Sequence, residues 1–356
     1  MKLQLKKLAD QVMVITGASS GIGLVTAKQA AAAGARVVLA ARNEDELAAA
    51  TQEIRQNGGQ ALHVRADVTD PAQVEEIAEA AIRAFGRIDT WVNNAGVAMY
   101  GRLTDVALED ARRLFDVLFW GVVHGSRTAV AHMSHDGGAL INVASIVADR
   151  AVPLQGIYSA AKHAVKAFTE TLRMELEEEG TPISVSLIKP SSIDTPLFDK
   201  ARTLLEFEPR PVPPVYAPEV VAETILECAQ RPIRDVIPGG MGKVLSTSGR
   251  IAPRLTDRYM ERTLFRQQRT DEPAGGRPDN LFTPVEQDGG ERGRNYKGRT
   301  TERSLYTKAS LHPGAAALSA LGLGAMLLAG SRVLKARRRR AARWEEEGGL
   351  VLPKDL

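Results

Sequence analysis

A single cysteine, Cys228, stands among 356 residues. One thiol excludes an intrachain disulfide and a cysteine-built zinc site, and it suits a reducing compartment. Net charge is also scarce: 46 Lys and Arg oppose 43 Asp and Glu, leaving a formal +3. So even a balance gives no broad field for gripping a nucleic acid, and none is expected as a partner. The six histidines have no carboxylate cluster at matching spacing beside them, so no metal site is expected. Residues 1–11 hold three lysines and an aspartate, with no apolar stretch long enough for a signal. A secretory leader is therefore not expected, and the domain that follows is placed in the cytoplasm.

What is present is ordinary globular composition, 44% hydrophobic and 25% charged. Short apolar runs at 12–16, 36–41, 61–66, 88–93, 138–144, 183–189 and 234–237 alternate with helical patterns. Many are apolar on both faces, as parallel strands covered by helices are. Residues 43–57 and 71–85 read as amphipathic helices with Asn43 and Asp70 as N-caps. The alternation predicts an α/β fold, a doubly wound parallel sheet of the Rossmann type, over residues 1–262. Pro209, Pro211, Pro213 and Pro214 mark an irregular loop before a helix from Pro218 to Gln230. Residues 263–308 are charged and rich in Gly and Pro, and are expected to be a flexible linker. Residues 309–334 are expected to form one apolar helix, charge-free over 314–330, and 335–356 a charged tail with a basic cluster at 335–343. The apolar helix reads either as membrane-associated, spanning or lying in the interface, or as a buried or oligomer-forming helix.

The first strand runs into Thr16-Gly17-Ala18-Ser19-Ser20-Gly21-Ile22-Gly23, and a helical stretch follows. Gly17 permits a tight turn, Gly21 lets the backbone approach a pyrophosphate, and Gly23 lets the helix start pack on the strand. Helix N-terminal amides then face the anion. Further along stand Asp67-Val68, Asn93-Asn94-Ala95-Gly96, Ser145, and Tyr158-Ser159-Ala160-Ala161-Lys162. Tyr158 and Lys162, four apart in a helical stretch, share a helix face.

With these motifs the sequence resembles the short-chain dehydrogenase/reductase family in its common single-domain form, over about residues 8–240. TGASSGIG matches that family's TGxxxGxG loop, and the later motifs match its NNAG and YxxxK signatures. The resemblance implies a nicotinamide-dependent enzyme that moves hydride between an alcohol and a ketone. It makes Tyr158 the acid/base, has Lys162 lower the tyrosine's pKa and hold the nicotinamide ribose, and places Ser145 on the substrate oxygen. It assigns cofactor contacts to Gly17, Ser19, Ser20, Gly21, Ile22 and Gly23, to Asp67 and Val68 at the adenine, to Asn94, Ala95 and Gly96, and to Ile193 and Thr195 at the carboxamide. No carboxylate ends the second strand, where Ala41 stands; Arg42 and Asn43 follow, and a guanidinium suits the 2′-phosphate of NADP(H).

Two departures from the family pattern stand out. Leu118 falls where the family's relay asparagine is expected, and Pro190-Ser191 replaces the frequent Pro-Gly. The substrate segment is expected near 196–214, with Leu197, Phe198, Leu204, Leu205, Phe207, Met99 and Tyr100 available as lining. That lining suggests a hydrophobic carbonyl or alcohol substrate. Family members commonly pair through the helices corresponding to 106–134 and 157–179, so a homodimer or homotetramer is expected. The competing reading, motivated by Leu118 and the tail, is a membrane-associated NADPH-binding scaffold or sensor with little turnover.

Overall fold

The computed structural model describes residues 3–286 and 289–314. Residues up to Thr307 form one compact unit. Its strands run β1 (Val12–Thr16), β2 (Arg36–Ala41), β3 (Gln60–Arg65), β4 (Thr90–Asn93), β5 (Met99–Tyr100), β6 (Gly138–Val143) and β7 (Ile183–Ile188). Shorter ones follow: β8 (Arg202–Thr203), β9 (Phe207–Pro209), β10 (Val215–Tyr216), β11 (Asp235–Val236), β12 (Arg269–Pro273) and β13 (Thr300–Thr301). The helices are α1 (Gly21–Ala32), α2 (Glu44–Gln56), α3 (Pro71–Phe85), α4 (Leu108–Phe115), α5 (Gly121–Met133), α6 (Gly156–Glu178), α7 (Pro218–Gln230), α8 (Gly240–Ile251) and α9 (Pro253–Gln267).

Seven strands form one sheet in the order β11-β7-β6-β4-β1-β2-β3, and every neighbouring pair is parallel. Parallel pairing explains the apolar runs: β1, β4, β6 and β7 are buried along their whole length, because α1, α2 and α7 cover one face and α3, α5 and α6 the other. The expected caps form. Asn43 Oδ1 accepts from Glu46 N at 3.2 Å, and Asp70 Oδ1 accepts from Ala72 N at 2.9 Å. α3 ends on Gly86 at φ 80°, the left-handed position that favours glycine. Strand order reverses between β1 and β4. Their C-terminal ends lead off in opposite directions and leave a crevice, the position where doubly wound sheets bind ligands.

The segment after residue 262 differs from the flexible linker expected of it. α9 continues to Gln267, β12 pairs antiparallel with β9, and β13 pairs parallel with β10. Leu281 is fully buried. Polar groups do most of the holding: Asp199 accepts from Arg294 N at 2.7 Å and from Asn295 N at 3.0 Å. The stretch packs on the domain through Leu264, Leu281 and many hydrogen bonds.

Among the described residues no helix is long and apolar enough to cross a membrane. The expected apolar run beyond Gly314, and the basic cluster 335–343, lie outside the described residues.

Candidate functional site

The crevice opens into a cavity of roughly 710 Å³, within the range of ligand sites. The glycine loop forms one wall. Gly17 sits at φ +66°, and a Cβ there would lie 2.7 Å from Ala95 Cα; a Cβ on Gly23 would lie 2.2 Å from Gly17 O. Neither position tolerates a side chain, so the loop and the 93–96 turn close on each other. Thr16 Oγ1 accepts from Asn94 N at 3.0 Å and Ala95 N at 3.1 Å, while Asn94 Nδ2 donates to Thr16 O at 3.0 Å. Asn94 is thus the splice between the two loops. Asn93 faces the core: its Nδ2 donates to Asn142 Oδ1 at 2.9 Å and Ser126 Oγ at 3.1 Å, and its Oδ1 accepts from Trp91 Nε1 at 2.8 Å.

Gly17, Ser19, Ser20, Gly21, Ile22, Arg42, Asp67, Val68, Asn94, Ala95, Gly96, Ile193 and Thr195 all line the cavity. Gly23 and Asn43 do not appear in its lining; Gly23 packs the helix start, and Asn43 caps α2. Asp67 is engaged by protein. Arg113 Nη2 donates to its Oδ2 at 2.6 Å, and Thr69 N and Oγ1 donate to its Oδ1 at 3.0 and 2.9 Å. Burial pushes this carboxyl up, but those bonds outweigh it and hold the pKa below the usual value. Sequence reasoning missed Arg113, and also Lys200, a buried cation whose Nζ donates to Ser20 Oγ at 2.8 Å on the glycine loop. No motif flags either residue.

The three expected catalytic side chains converge on the same cavity. Ser145 follows β6, and Tyr158 and Lys162 lie one turn apart on α6. Lys162 Nζ donates to Val143 O at 2.9 Å and lies 5.9 Å from the Tyr158 ring centroid. Burial sets the electrostatics of the pair. Burial pushes the Tyr158 phenol up to about 12, with a Ser145 hydrogen bond pulling the other way, and burial pulls Lys162 down to about 8. Desolvation of both groups, not the lysine's charge, dominates the resting pair. Tyr100, also lining the cavity, is buried beside Tyr158, and burial raises its phenol too.

Leu118 sits in a five-residue π-helical turn, Asp116–Trp120, between α4 and α5. It is fully buried and lines the cavity against Gly96. Such turns recur at functional sites; here the turn is kept with an apolar residue on it. Ser191 also has a local account: its Oγ donates to Gly239 O at 2.9 Å, tying the loop after β7 to the end of β11.

Away from the glycine loop the lining is mostly apolar, with Gln155, Ser248, Thr256, Gln267 and Gln268 among it. Leu197, Phe198 and Tyr100 line the cavity as expected, whereas Met99, Leu204, Leu205 and Phe207 do not. Leu204 and Phe207 turn elsewhere, the first against Gly101 and the second under the Arg269 guanidinium at 4.7 Å. Helices α8 and α9 supply the missing wall through Met241, Val244, Leu245, Leu255, Tyr259 and Leu264. α8 is fastened to the site by Ser246 Oγ, which donates to Asp149 Oδ2 at 2.9 Å.

The same architecture recurs in known proteins. The family model for short chain dehydrogenase matches residues 11–205. The uncharacterized oxidoreductase YxnA of Bacillus subtilis (strain 168) is 47% identical over 325 residues, 90% of this chain and 91% of YxnA. A match of that length takes in the segment beyond residue 266. A short chain dehydrogenase/reductase from Burkholderia phymatum, solved in complex with NAD, superposes with a TM-score of 0.58 at 28% identity, covering 76% of this chain and 99% of its own. An alcohol dehydrogenase from Thermococcus sibiricus, complexed with 5-hydroxy-NADP, gives a TM-score of 0.56 at 25% identity, covering 64% and 95%. The chain belongs to the short-chain dehydrogenase/reductase family of oxidoreductases.

Proposed function

We propose that this chain is an NADP(H)-dependent oxidoreductase that moves hydride between nicotinamide and a hydrophobic ketone or its alcohol. The convergence of Ser145, Tyr158 and Lys162 on one cavity carries the reading. That cavity is lined by the glycine loop and Arg42 and by a mostly apolar set of side chains from α8 and α9. The residues suit a nicotinamide dinucleotide. Gly17 and Gly23 leave no room for a Cβ, so backbone lies at the surface, and the N-terminus of α1 favours an anion. β2 ends on Ala41 with Arg42 next, a cation and no carboxylate at the ribose corner. That choice supports the phosphorylated cofactor.

The cofactor, when bound, supplies or accepts the hydride. The chain's own residues manage the charge. In the reductive direction the substrate oxygen gains negative charge, and the hydroxyls of Ser145 and Tyr158 donate to it. Tyr158 then yields its proton. With a pKa near 12 it holds that proton firmly until the oxygen demands it. A protonated Lys162 favours the phenolate as it forms, and a pKa near 8 keeps the lysine able to exchange a proton near neutral pH. Leu118 offers no polar group to this exchange, so the path runs by another route. Ile193 and Thr195 are the proposed carboxamide contacts.

Exposed apolar side chains on the pairing helices, Leu108, Trp120 and Met174, support a homodimer or homotetramer formed through α4 to α6. NADPH absorbance followed with ketones of rising chain length tests the function. Wild type is expected to favour long apolar ketones, and Tyr158→Phe to lose about 10²–10⁴-fold in kcat. Equal turnover in the Phe variant would remove Tyr158 from the chemistry; a preference for small polar carbonyls would overturn the substrate class.

A further inference from the structure

We propose that the exposed face of α8 and α9 is a docking surface for an anionic lipid bilayer, and that an apolar substrate enters the cavity from the membrane there. The docking stands on surface chemistry alone; the entry of substrate rests on the hydrophobic-substrate reading above.

Met241, Val244 and Ile251 fall within about a quarter turn of one another on α8. Leu255 and Tyr259 stand one turn apart on α9, which packs against α8. All five are large apolar side chains left exposed. Ile251 is 78% exposed and does not line the cavity, so it faces the outside. Met241, Val244, Leu255 and Tyr259 do line it, and Leu255 is still 66% exposed. One apolar surface therefore runs from the outside of the molecule into the site. A patch of this kind marks a contact with another apolar body.

The charges on the same two helices have one prevailing sign. Residues 240–267 hold six Lys and Arg against two Asp and Glu, while the whole chain is nearly balanced. Lys243, Arg250, Arg254, Arg258 and Arg262 are exposed, and none makes an ion pair among the described residues. Asp257, one of the two acids, is already paired with Arg150. Apolar side chains set among unpaired cations suit a helix lying in the headgroup region of an anionic bilayer. An acidic protein would satisfy the cations, but it has no use for a surface that continues into the cavity. A bilayer does: it concentrates a ketone too apolar for water, and a cavity seated on it takes that ketone up directly.

Flotation of the full chain with phosphatidylcholine vesicles, with and without phosphatidylglycerol, reads the docking. Wild type is expected to float with the anionic vesicles and to detach as salt is raised. Arg254→Glu/Arg258→Glu and, separately, Ile251→Asp should weaken binding at least about tenfold. None of these three side chains lines the cavity. Both variants should therefore reduce a short-chain ketone dissolved in water at the wild-type rate. A long-chain ketone carried in anionic vesicles should turn over at least about fivefold more slowly in both. Wild type that stays off anionic vesicles would overturn the surface. Variants that float as wild type does would also overturn it, and would place attachment in the chain beyond Gly314. A change of oligomer size in sedimentation velocity with flotation unaltered would overturn it as well, making the face an interface between copies. Flotation as expected with no long-chain ketone reduced would sink the hydrophobic-substrate reading and leave the docking standing.

Discussion

Replacing Lys162 with methionine should abolish turnover and, near neutral pH, leave the fold as stable as before or more so. Lys162 is 4% exposed, and burial alone pulls its pKa from 10.5 to about 8. The folded protein thus binds this proton more weakly than the unfolded chain does. The cost is fully present below pH 8, where both states are protonated, and fades as pH rises toward the unfolded value. A shift of that size destabilises the fold by about 3 kcal/mol at pH 7, about 2 at pH 9 and below about 1 at pH 10. Methionine fills a similar volume and carries none of this cost. It does orphan Val143 O, which now accepts from Nζ at 2.9 Å, and a buried unpaired carbonyl costs about 1–3 kcal/mol.

The variant should therefore be neutral to about 2 kcal/mol more stable at pH 7, and no more stable than wild type, or less so, at pH 10. Urea unfolding of both proteins at pH 7, 9 and 10 measures this. Taking the difference cancels groups away from Lys162 that titrate in alkali, the buried Tyr100 and Cys228 among them. A stability difference that stays constant across this range would show that Lys162 titrates normally. The account of a desolvated, near-neutral lysine would then be wrong.

Ala41→Asp combined with Arg42→Ala places a carboxylate where the ribose hydroxyls lie and removes the cation; KM for NADPH should rise at least about tenfold and KM for NADH should fall. Trp120→Asp, changing a side chain 48% exposed on the pairing helices, should shift the protein toward monomer in sedimentation velocity with the fold intact. Asp149 is held at a pKa of about 2: burial raises it, and bonds from Lys166 and Lys189 more than offset that. With the folded pKa depressed, its contribution is present above pH 4 and lost as pH falls through 2, about 2 kcal/mol in all; acid unfolding should begin at higher pH in Asp149→Asn.

The strands were legible because parallel pairing buries both faces, and continuous apolar runs are what that burial demands. The glycine loop was legible for a steric reason: Gly17 and Gly23 are positions where any Cβ meets backbone, so residue type reports geometry directly. Other features had no such one-to-one link. Met241, Val244 and Leu255 face the cavity while partly exposed on α8 and α9, and an apolar stripe on a helix reads the same whether it meets a core or a substrate. Asn93 and Asn94 are chemically identical neighbours, yet one braces the core and the other joins two loops; alternation along β4 decides which. The segment beyond 266 was hardest to read, because backbone carbonyls hold it and every sequence has those. Polar, glycine-rich composition excludes a private core. It does not exclude docking on another, and here the residues that receive the segment, Arg42, Asn43 and Gly21, had already been singled out for a ligand. A hydrogen-bonding surface suited to phosphate and ribose is equally fit to bind a peptide backbone, so the same residue types can mark either.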